Sequence, residues 1–336
     1  MKVLITAPFS ESGLKLLEDA GLEVRHESWQ DTGKLYLGDK LLPIIKEGGY
    51  EIVIVEGDEV KEEVIEGSDL KIIASARDNP NNVSISAATT KGIPVIGAPG
   101  RNTNAVAELT LALILGQARR IVTADRLLKN DFMVDDYSDF AQMYKTTKGF
   151  ELNGRTVGII GLGKIGYEVA KRLQAFGAEI MVHDPYAPKE RLKEFNAKDV
   201  SLEELLRNSD IVSVHCPPTD ETKGMLGAEQ FKMMKQTAIF INTARASITD
   251  EYALREALKS GTIAGAGLDV FSMEPVDCDN EFLELENVIV TPHIGGNTVD
   301  TIERQSMMIA RDITAILNGG RPENVLNPEV LKKEAT

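Results

Sequence analysis

Short apolar runs alternate along this chain with segments whose apolar residues follow a helical period. In the first hundred residues, five apolar runs predict strands: Val3–Ala7, Val24–His26, Ile52–Val55, Leu70–Ala74 and Val95–Ile96. Helical patterns fit between them, for example Ser10–Ala20, which Gly21 closes. Strands that alternate with amphipathic helices are typical of parallel sheets covered by helices on both faces. We therefore expect an α/β fold.

A second series of runs predicts another unit of the same kind. Its strands are Thr156–Ile160, Glu179–His183, Ile211–His215, Ala238–Asn242, Ala264–Asp269 and Val288–Thr291. Before this series, the apolar positions from Thr103 to Asn130 keep the helical period and predict one long helix. The segment Asp131–Gly149 shows no clear period, so we interpret it as an extended loop or as an arm that packs on another subunit. A last helix, Thr298–Leu317, should end at Asn318-Gly319-Gly320.

Length and charge exclude several classes of partner. The 336 residues suffice for two domains with their own cores, and the net charge of −15 disfavours binding to nucleic acid or to anionic lipid. Two cysteines, Cys216 and Cys278, form no disulfide framework and fit a reducing compartment. The first residues lack a signal-peptide pattern, and no apolar run is long enough to span a membrane. We expect a cytoplasmic protein with neither nucleic acid nor membrane as a partner.

A glycine motif in the second unit predicts a dinucleotide site. Gly161-Leu162-Gly163-Lys164-Ile165-Gly166 directly follows a predicted strand and opens the helical run Tyr167–Phe176. Gly161 would permit the tight turn, Gly163 the approach of a pyrophosphate, and Gly166 the close packing of helix on strand. Asp184 ends the next strand, where an acid accepts bonds from ribose hydroxyls and favours NAD over NADP. A plain βα turn or an S-adenosylmethionine site are the alternatives.

Three polar residues follow strands whose ends would normally be apolar or small. Arg245, Glu274 and His293 each come just after an apolar run. The carboxyl ends of parallel strands share one edge of the sheet, so these side chains should converge. A cation, an acid and an imidazole together suit an enzyme that holds a carboxylate and moves a proton. The alternatives are a surface salt bridge, a solvated acid and a structural histidine.

Taken together, these motifs resemble the D-isomer-specific 2-hydroxyacid dehydrogenase family. The resemblance covers about residues 50–320 and rests on segments in one order: Ala98–Thr103, Ala105–Glu108, Gly158–Gly166, His215–Pro217, Asn242–Arg245, Asp269–Phe271, Glu274-Pro275 and Thr291–Gly296. It implies two Rossmann-like doubly wound parallel-sheet domains with a cleft between them. Residues 1–100 plus 302–336 would form a discontinuous, flavodoxin-like substrate domain, and residues 101–301 an NAD-binding Rossmann domain. Members commonly form homodimers through the NAD-binding domain.

The resemblance also implies a role for each site residue. The reaction would interconvert a D-2-hydroxy acid and its 2-keto acid with NAD. Arg245 would hold the substrate carboxylate, helped by the loop Ala76-Arg77-Asp78, and His293 would be the acid–base group that Glu274 orients. Asp269 would hold the nicotinamide amide, although an acid that ends a strand and caps the next turn is a close alternative. The remaining cofactor contacts would be Lys164, Ile165, His215, Cys216, Pro217, Thr243, Ala244, Gly295 and Gly296.

Departures from the family pattern concern the substrate. The loop Ser75–Val83 lies where relatives often carry glycines, and Val55–Asp58 is acidic where phosphoglycerate enzymes tend to present arginines. That acidity disfavours a phosphorylated substrate unless Arg77 or Arg101 compensates, so we expect a small unphosphorylated acid. The alternatives are a 3-phosphoglycerate dehydrogenase and an NAD(H)-sensing, corepressor-like binding protein. Glu274 disfavours the formate dehydrogenase branch, which carries glutamine there, and we expect no regulatory domain after residue 330.

Overall fold

The chain folds into two compact units, each built on its own sheet. A computed structural model describes residues 1–130, 133–197 and 199–331. One unit comprises Met1–Arg101 and Asn297–Thr336, and the other Asn102–Gly296. The sequence-based division places the crossings after residues 100 and 301, and residues 332–336 of the expected substrate domain lie outside the described residues.

The first unit is a five-stranded parallel sheet with the strand order β2-β1-β3-β4-β5. This is the flavodoxin-like order. Its elements up to the crossing are β1 Lys2–Ile5, α1 Glu11–Asp19, β2 Glu23–His26, α2 Trp29–Thr32, α3 Leu41–Gly48, β3 Ile52–Val55, α4 Glu62–Gly67, β4 Ile72–Ser75, α5 Ile85–Thr90 and β5 Val95–Ile96.

The second unit is a six-stranded parallel sheet. Its elements are α6 Thr103–Ala118, α7 Ile121–Lys129, α8 Tyr137–Thr146, β6 Thr156–Ile160, α9 Lys164–Ala175, β7 Glu179–His183, α10 Lys189–Glu194, α11 Leu202–Asn208, β8 Ile211–Val214, α12 Ala228–Met233, β9 Ile239–Asn242, α13 Glu251–Lys259, β10 Gly265–Leu268 and β11 Val288–Val290. The chain then returns to the first unit as α14 Val299–Leu317, which Asn318 caps as predicted.

Each sheet is covered on both faces, as the apolar runs predict. In β1, Val3 and Ile5 belong to a core cluster with Ile309 and Ile313 of α14, whereas Leu4 belongs to a cluster with Leu41 of α3. Successive side chains of a strand point to opposite faces, so a strand buried on both faces is largely apolar along its length. The predicted α/β class of two doubly wound parallel sheets is confirmed.

The strand order of the second sheet places a switch point beside the glycine motif. The order is β11-β10-β9-β8-β6-β7, so the chain winds outward in opposite directions from the neighbours β6 and β8. Asp199 forms an isolated parallel bridge with Val182 of β7, where a Rossmann sheet would have one more strand. Ligands of doubly wound sheets bind at the carboxyl ends of strands next to such a switch point. The motif after β6 therefore lies where a dinucleotide binds in this fold.

The predicted single helix from Thr103 to Asn130 is wrong. It is interrupted between α6 and α7, where Arg120 takes a left-handed conformation with φ 54°. The carbonyl oxygen of Ala118 accepts a hydrogen bond from Phe150 N at 2.8 Å, so the returning chain uses a group that helix continuation would need. The apolar period runs through the break, so the pattern alone does not reveal it.

The segment after α7 contains a helix that the sequence did not predict. α8 begins after Asp136, whose side chain accepts hydrogen bonds from Ser138 N and Asp139 N and so caps the helix. None of the residues of α8 is buried, so no apolar stripe was required to form it. The expectation for Asp131 and Phe132 lies outside the described residues.

Both cysteines are free thiols. Cys216 is half-buried, and Cys278 is exposed. Within residues 1–130, 133–197 and 199–331, no helix is both long enough and apolar enough to cross a membrane.

Candidate active site

Arg245, Glu274 and His293 line one cavity in the second unit. They follow β9, β10 and β11, which are parallel neighbours, so their carboxyl ends share one edge of the sheet. The cavity has a volume of about 380 Å³, and all three side chains contribute to its wall. The sequence-based expectation that these residues converge therefore agrees with the geometry.

His293 and Glu274 form a directly hydrogen-bonded pair. The Nδ1 atom of His293 lies 2.7 Å from Oε2 of Glu274, and Oε1 of Glu274 accepts a hydrogen bond from Phe271 N at 3.0 Å. A carboxylate only accepts, so Nδ1 carries the proton in this bond and Nε2 is the ring nitrogen left for another partner. Glu274 is thus held by its own loop while it orients the imidazole.

The backbone at His293 is unusual. Its φ of 56° is in the left-handed region, which costs a non-glycine residue about 1–2 kcal/mol.

Asp269, at the end of β10, is 1% exposed and accepts hydrogen bonds from Thr291 Oγ1, Ile294 N and Gly295 N. This arrangement corresponds to the alternative in which Asp269 ends a strand and caps the next turn.

Arg245 stands at the start of a short 3₁₀ turn, Ala246–Ile248. The side chain of Asn242 braces this corner, because it accepts a bond from Ala244 N and donates one to Arg245 O, both at 3.0 Å. The guanidinium is exposed and donates to Ala244 O at 2.6 Å. Among the described residues, no carboxylate lies within ion-pair distance of it, so its remaining N–H donors suit an anionic ligand.

The glycine motif has the geometry that a pyrophosphate requires. Gly161 has a φ of 91°, and a Cβ on Gly166 would lie 2.1 Å from Gly161 O, so both positions need glycine. A Cβ on Gly163 would meet no protein atom within 4 Å, so the space beside it is open. α9 begins at Lys164 without a side-chain cap, which leaves its first N–H groups, including those of Lys164 and Ile165, available to phosphate. These residues fit an NAD molecule.

Asp184 lies beside this loop. Its Oδ2 accepts a hydrogen bond from Leu162 N at 2.7 Å, and its Oδ1 accepts one from Tyr186 N at 2.9 Å. Both bonds fix a negative charge next to the glycine turn.

The end of β8 is apolar in character despite its histidine and cysteine. Burial lowers the pKa of His215 to about 3, so the ring is neutral, and its Nε2 lies 2.8 Å from Ser213 Oγ. Burial also raises the pKa of the Cys216 thiol to about 11, which makes it a poor nucleophile. Cys216 packs against the glycine turn, since a Cβ on Gly161 would lie 2.6 Å from Cys216 N. Pro217 follows on the surface.

The other expected contacts occupy several places. Thr243 is buried and bonds Thr110 through the two hydroxyls at 2.8 Å, and Ala244 follows it beside Arg245. Gly295 and Gly296 continue the His293 loop. Ala76, Arg77 and Asp78 lie after β4 in the first unit, where Arg77 donates to Asn81 Oδ1 at 2.8 Å. Their contact with a substrate stays a prediction.

Sequence reasoning missed four polar residues of the cavity wall: Ser247, Thr249, Glu251 and Ser272. Glu251 accepts a hydrogen bond from Ser272 N at 2.8 Å and another from the Ser272 hydroxyl, so it braces the loop that carries Glu274. Their closeness in sequence to Arg245 or Glu274 was the available signal. Polar residues near a turn are common, however, and nothing in the pattern marks these as cavity-lining.

Comparison with known proteins agrees with this geometry. Residues 111–295 match the D-isomer specific 2-hydroxyacid dehydrogenase, NAD binding domain. A D-3-phosphoglycerate dehydrogenase from Archaeoglobus fulgidus is 40% identical over 97% of this chain, which spans 59% of that protein. A glyoxylate reductase from Thermococcus litoralis is 39% identical over 98% of this chain and 98% of its own length.

A solved structure extends the likeness to three dimensions. The TT0316 protein from Thermus thermophilus has a TM-score of 0.85 at 35% identity, over 97% of this chain and 100% of that chain. The second unit is accordingly an NAD-binding domain. The chain belongs to the D-isomer-specific 2-hydroxyacid dehydrogenase family.

Proposed function

We propose that this protein is an NAD-dependent dehydrogenase that interconverts a D-2-hydroxy acid and its 2-keto acid. The observation that carries the proposal is the 2.7 Å contact between His293 Nδ1 and Glu274 in a cavity that Arg245 also lines. It combines a proton donor and acceptor with a cation for the carboxylate, which are the two protein groups that this reaction needs.

Each residue has one task in the proposed reaction. Arg245 binds the substrate carboxylate through two parallel N–H bonds, which fixes the neighbouring carbonyl carbon. In reduction, the His293 imidazolium donates the Nε2 proton to the carbonyl oxygen, and in oxidation neutral Nε2 takes the hydroxyl proton. Glu274 accepts the hydrogen bond from Nδ1 and so orients the ring with Nε2 towards the substrate.

The cofactor would be held by the loop between β6 and α9. The N–H groups at the start of α9 would bind the pyrophosphate beside Gly163, and Asp184 would accept from the ribose hydroxyls. His215, Cys216 and Pro217 would line the adenine side of the pocket, where a neutral imidazole and an un-ionised thiol offer an apolar wall. Bound NAD(H) supplies or accepts the hydride.

The proposed substrate is a small unphosphorylated acid. The acidic segment after β3 includes Glu56, and Arg101 forms an ion pair with it at 2.8 Å, with both side chains largely buried. Arg77 donates to Asn81. Both cations that could have compensated for the acidic segment therefore have partners in the first unit, which disfavours a phosphate group on the substrate.

A keto-acid panel tests the proposal. NADH oxidation is followed by absorbance with glyoxylate, hydroxypyruvate, pyruvate, 2-ketoisocaproate and phosphohydroxypyruvate. We expect turnover with at least one unphosphorylated acid and a higher kcat/KM for it than for phosphohydroxypyruvate. The reverse order would make the protein a 3-phosphoglycerate dehydrogenase, the name carried by its Archaeoglobus relative. No turnover, with tight NADH binding retained, would favour an NAD(H)-sensing role.

The proposed assembly is a homodimer that pairs through the NAD-binding unit. α7 and α8 present several large apolar side chains to solvent, including Leu128 at 68% and Tyr137 at 92% exposure. Phe140 and Tyr144 of α8 are in contact, with tilted rings whose centroids lie 4.7 Å apart. Clusters of exposed large apolar side chains often mark interaction sites, and most soluble homo-oligomers are two-fold dimers.

A further inference from the structure

The loop that carries Glu274 is rooted in the core only at its first residue. That residue, Phe271, is 5% exposed and belongs to a core cluster of the second unit. The following residues, Ser272–Pro275, are all exposed. An exposed loop gains few apolar contacts, so packing does not fix where the Glu274 side chain lies. Its position depends on hydrogen bonds to the rest of the unit.

Glu251 accepts two such bonds from the loop. One of its carboxylate oxygens accepts from Ser272 N at 2.8 Å, and the other accepts from the Ser272 hydroxyl. Glu251 is the first residue of α13, and its side chain lines the same cavity as Glu274. The carboxylate therefore ties the exposed loop to a helix.

The start of α13 is itself held firmly. The side chain of Asp250 accepts from Ala253 N at 3.1 Å and so caps the helix, and the Asp250 N–H donates to Leu226 O at 2.9 Å. Ala253 and Leu254, in the first turn, are buried in the same core cluster as Phe271. Glu251 thus holds the loop from a position that has little freedom of its own.

A short series of contacts leads from Glu251 to the imidazole. Glu251 holds Ser272. The N–H of the residue before it, Phe271, donates to Glu274 Oε1 at 3.0 Å. Glu274 Oε2 in turn lies 2.7 Å from His293 Nδ1. Both oxygens of Glu274 are engaged, so a shift of the loop must lengthen at least one of these bonds.

We propose that Glu251 is a positioning residue for the pair of Glu274 and His293, and that it acts on the reaction only through its hydrogen bonds to Ser272. The proposal rests on the proposed function, because it concerns the same acid–base group. While the loop is held, Glu274 stays within hydrogen-bond reach of Nδ1, and Nε2 keeps its direction towards the substrate. The Glu251 carboxylate binds neither substrate nor cofactor.

Two variants of Glu251 separate bonding from charge. Glu251→Ala removes both bonds to Ser272. We expect kcat to fall by about tenfold, since displacing a catalytic group by about 1 Å costs up to about 100-fold. In Glu251→Gln, the amide oxygen still accepts from Ser272 N, and the NH₂ group donates to the Ser272 hydroxyl. This variant should keep kcat within about threefold of wild type. An equal loss in both variants would overturn the proposal, because charge rather than bonding would then matter.

The decisive measurement repeats Glu251→Ala in a Glu274→Ala background. A residue that acts only through Glu274 has nothing left to position there, so we expect kcat to change by less than about twofold. A further fall by the same factor as in the wild-type background would overturn the proposal. A large rise in KM for the keto acid in Glu251→Ala would also overturn it, because Glu251 would then bind the substrate directly.

Glu62 offers a matched control in the first unit. It is also the first residue of a helix, α4, and it accepts a hydrogen bond from a serine hydroxyl, that of Ser84, at 2.9 Å. Glu62→Ala removes the same charge from a helix start and one bond of the same kind, so kcat should stay at the wild-type value.

A change in the loop itself keeps the proposal testable if Glu251→Ala fails to fold. Ser272→Ala removes only the hydroxyl donor, at an exposed position where folding is little affected. We expect kcat to fall by about two- to fivefold, because the loop keeps one of its two bonds to Glu251. Wild-type kcat in Ser272→Ala would contradict the proposal.

Amide hydrogen exchange supplies a readout without turnover. The N–H of Phe271 donates to Glu274, so its exchange rate reports whether Glu274 is in place. We expect Glu251→Ala to accelerate exchange at Phe271 as well as at Ser272, and to leave exchange in β6 unchanged. Acceleration at Ser272 alone would contradict the positioning role even in an active enzyme. If the wild type turns over no keto acid while exchange at Phe271 accelerates in the variant, the dehydrogenase assignment fails and the link from Glu251 to Glu274 stands.

Discussion

His293 combines a strained backbone conformation with a side chain that is hydrogen-bonded to an acid, Glu274. Its φ of 56° and the 2.7 Å bond to Glu274 both restrict where the imidazole can point. An acid–base group transfers protons efficiently only when it lies within hydrogen-bond reach of the reacting oxygen. The sequence marks His293 by its position after an apolar run, but its left-handed backbone conformation becomes visible only in the structure.

Replacing His293 by alanine should separate chemistry from cofactor binding. We expect kcat to fall by about 10²- to 10⁴-fold, the range that acid–base catalysis contributes. NADH affinity, measured by fluorescence titration, should change by less than about threefold, because the proposed pyrophosphate and ribose contacts are at the ends of β6 and β7. A large loss of NADH affinity in this variant would mean that His293 belongs to the cofactor site.

His215 should make folding stability depend on pH. Its pKa falls from 6.5 to about 3 on burial, so between these values the unfolded chain binds a proton that the folded chain does not. The contribution of neutral His215 to the free energy of unfolding should therefore be fully present above pH 6.5 and should decline as the pH falls towards 3. Between pH 7 and pH 5 this single group should remove about 2 kcal/mol from the free energy of unfolding.

Urea unfolding of wild type and His215→Gln at both pH values measures this effect. The other titratable groups are the same in both proteins. The change in the free energy of unfolding between pH 7 and pH 5 is therefore compared between wild type and variant, and the difference isolates His215. We expect the variant to be less stable than wild type at pH 7 and to lose less stability on acidification. Parallel pH dependences would show that the His215 ring charges freely in the folded state.

At the scale of elements, β6, the glycine loop and α9 form a strand–turn–helix unit. The glycines of this unit fall into two groups. Gly161 and Gly166 are required by the protein itself, since φ is 91° at the first and a Cβ on the second would meet Gly161 O at 2.1 Å. Gly163 has no protein atom within 4 Å of a Cβ, so the fold does not require glycine there. A ligand that occupies the open space would require it.

Gly163→Ala should therefore weaken cofactor binding without weakening the fold. We expect the melting temperature to stay within about 2 °C of wild type, because an exposed surface change typically costs less than about 0.5 kcal/mol. The Kd for NADH should rise by at least about tenfold, because the added methyl group keeps the pyrophosphate from the backbone. Gly166→Ala is the contrasting variant, and it should lose both stability and binding. Unchanged NADH affinity in Gly163→Ala would exclude the proposed pyrophosphate position.

The elements show which parts of the fold the sequence could predict. Strand β3 is buried on both faces, so it reads as an unbroken apolar run. The interruption at Arg120 was not predictable, because it depends on Phe150 returning to the carbonyl of Ala118. α8 was missed because an exposed helix has no apolar stripe.

The same contrast holds for the candidate site. Arg245, Glu274 and His293 could be predicted because each follows an apolar run, and parallel strands bring their ends to one edge. Glu251 lines the cavity through its bonds to Ser272, a contact between residues of different elements that leaves no mark on the local pattern. Asp269 was predicted as a site residue, but its three hydrogen bonds to the loop after β11 join residues of different elements and leave no mark on the local pattern.

At the scale of the whole molecule, the proposed dimer rests on the exposed apolar side chains of α7 and α8. Tyr137 is 92% exposed and Tyr144 is 63% exposed. The full chain carries a net charge of −15. A strongly acidic molecule repels its copies unless apolar contact outweighs the repulsion. Aromatic residues are the side chains that most often dominate such contacts.

The double variant Tyr137→Ser, Tyr144→Ser should convert a dimer into a monomer. We expect light scattering to give the wild type twice the chain mass of 36.7 kDa at micromolar concentration, and the variant 36.7 kDa. A two-fold axis repeats every loss on both sides of the interface. Truncating an aromatic residue that contributes strongly to an interface costs about 2 kcal/mol, so four such losses across the two-fold axis should raise the dimer Kd by about 10⁶-fold.

Phe176→Ser is the matched control for this surface. Phe176 is also an exposed aromatic residue of the NAD-binding unit, 46% exposed, but it follows α9 rather than lying on α7 or α8. Its loss should leave the mass at the dimer value, because the side chain lies outside the proposed interface. A monomeric wild type, or a double variant that stays dimeric while Phe176→Ser dissociates, would contradict pairing through α7 and α8. The acidic charge makes the test sharper, since raising the salt concentration screens the repulsion and should strengthen a dimer held by apolar contact.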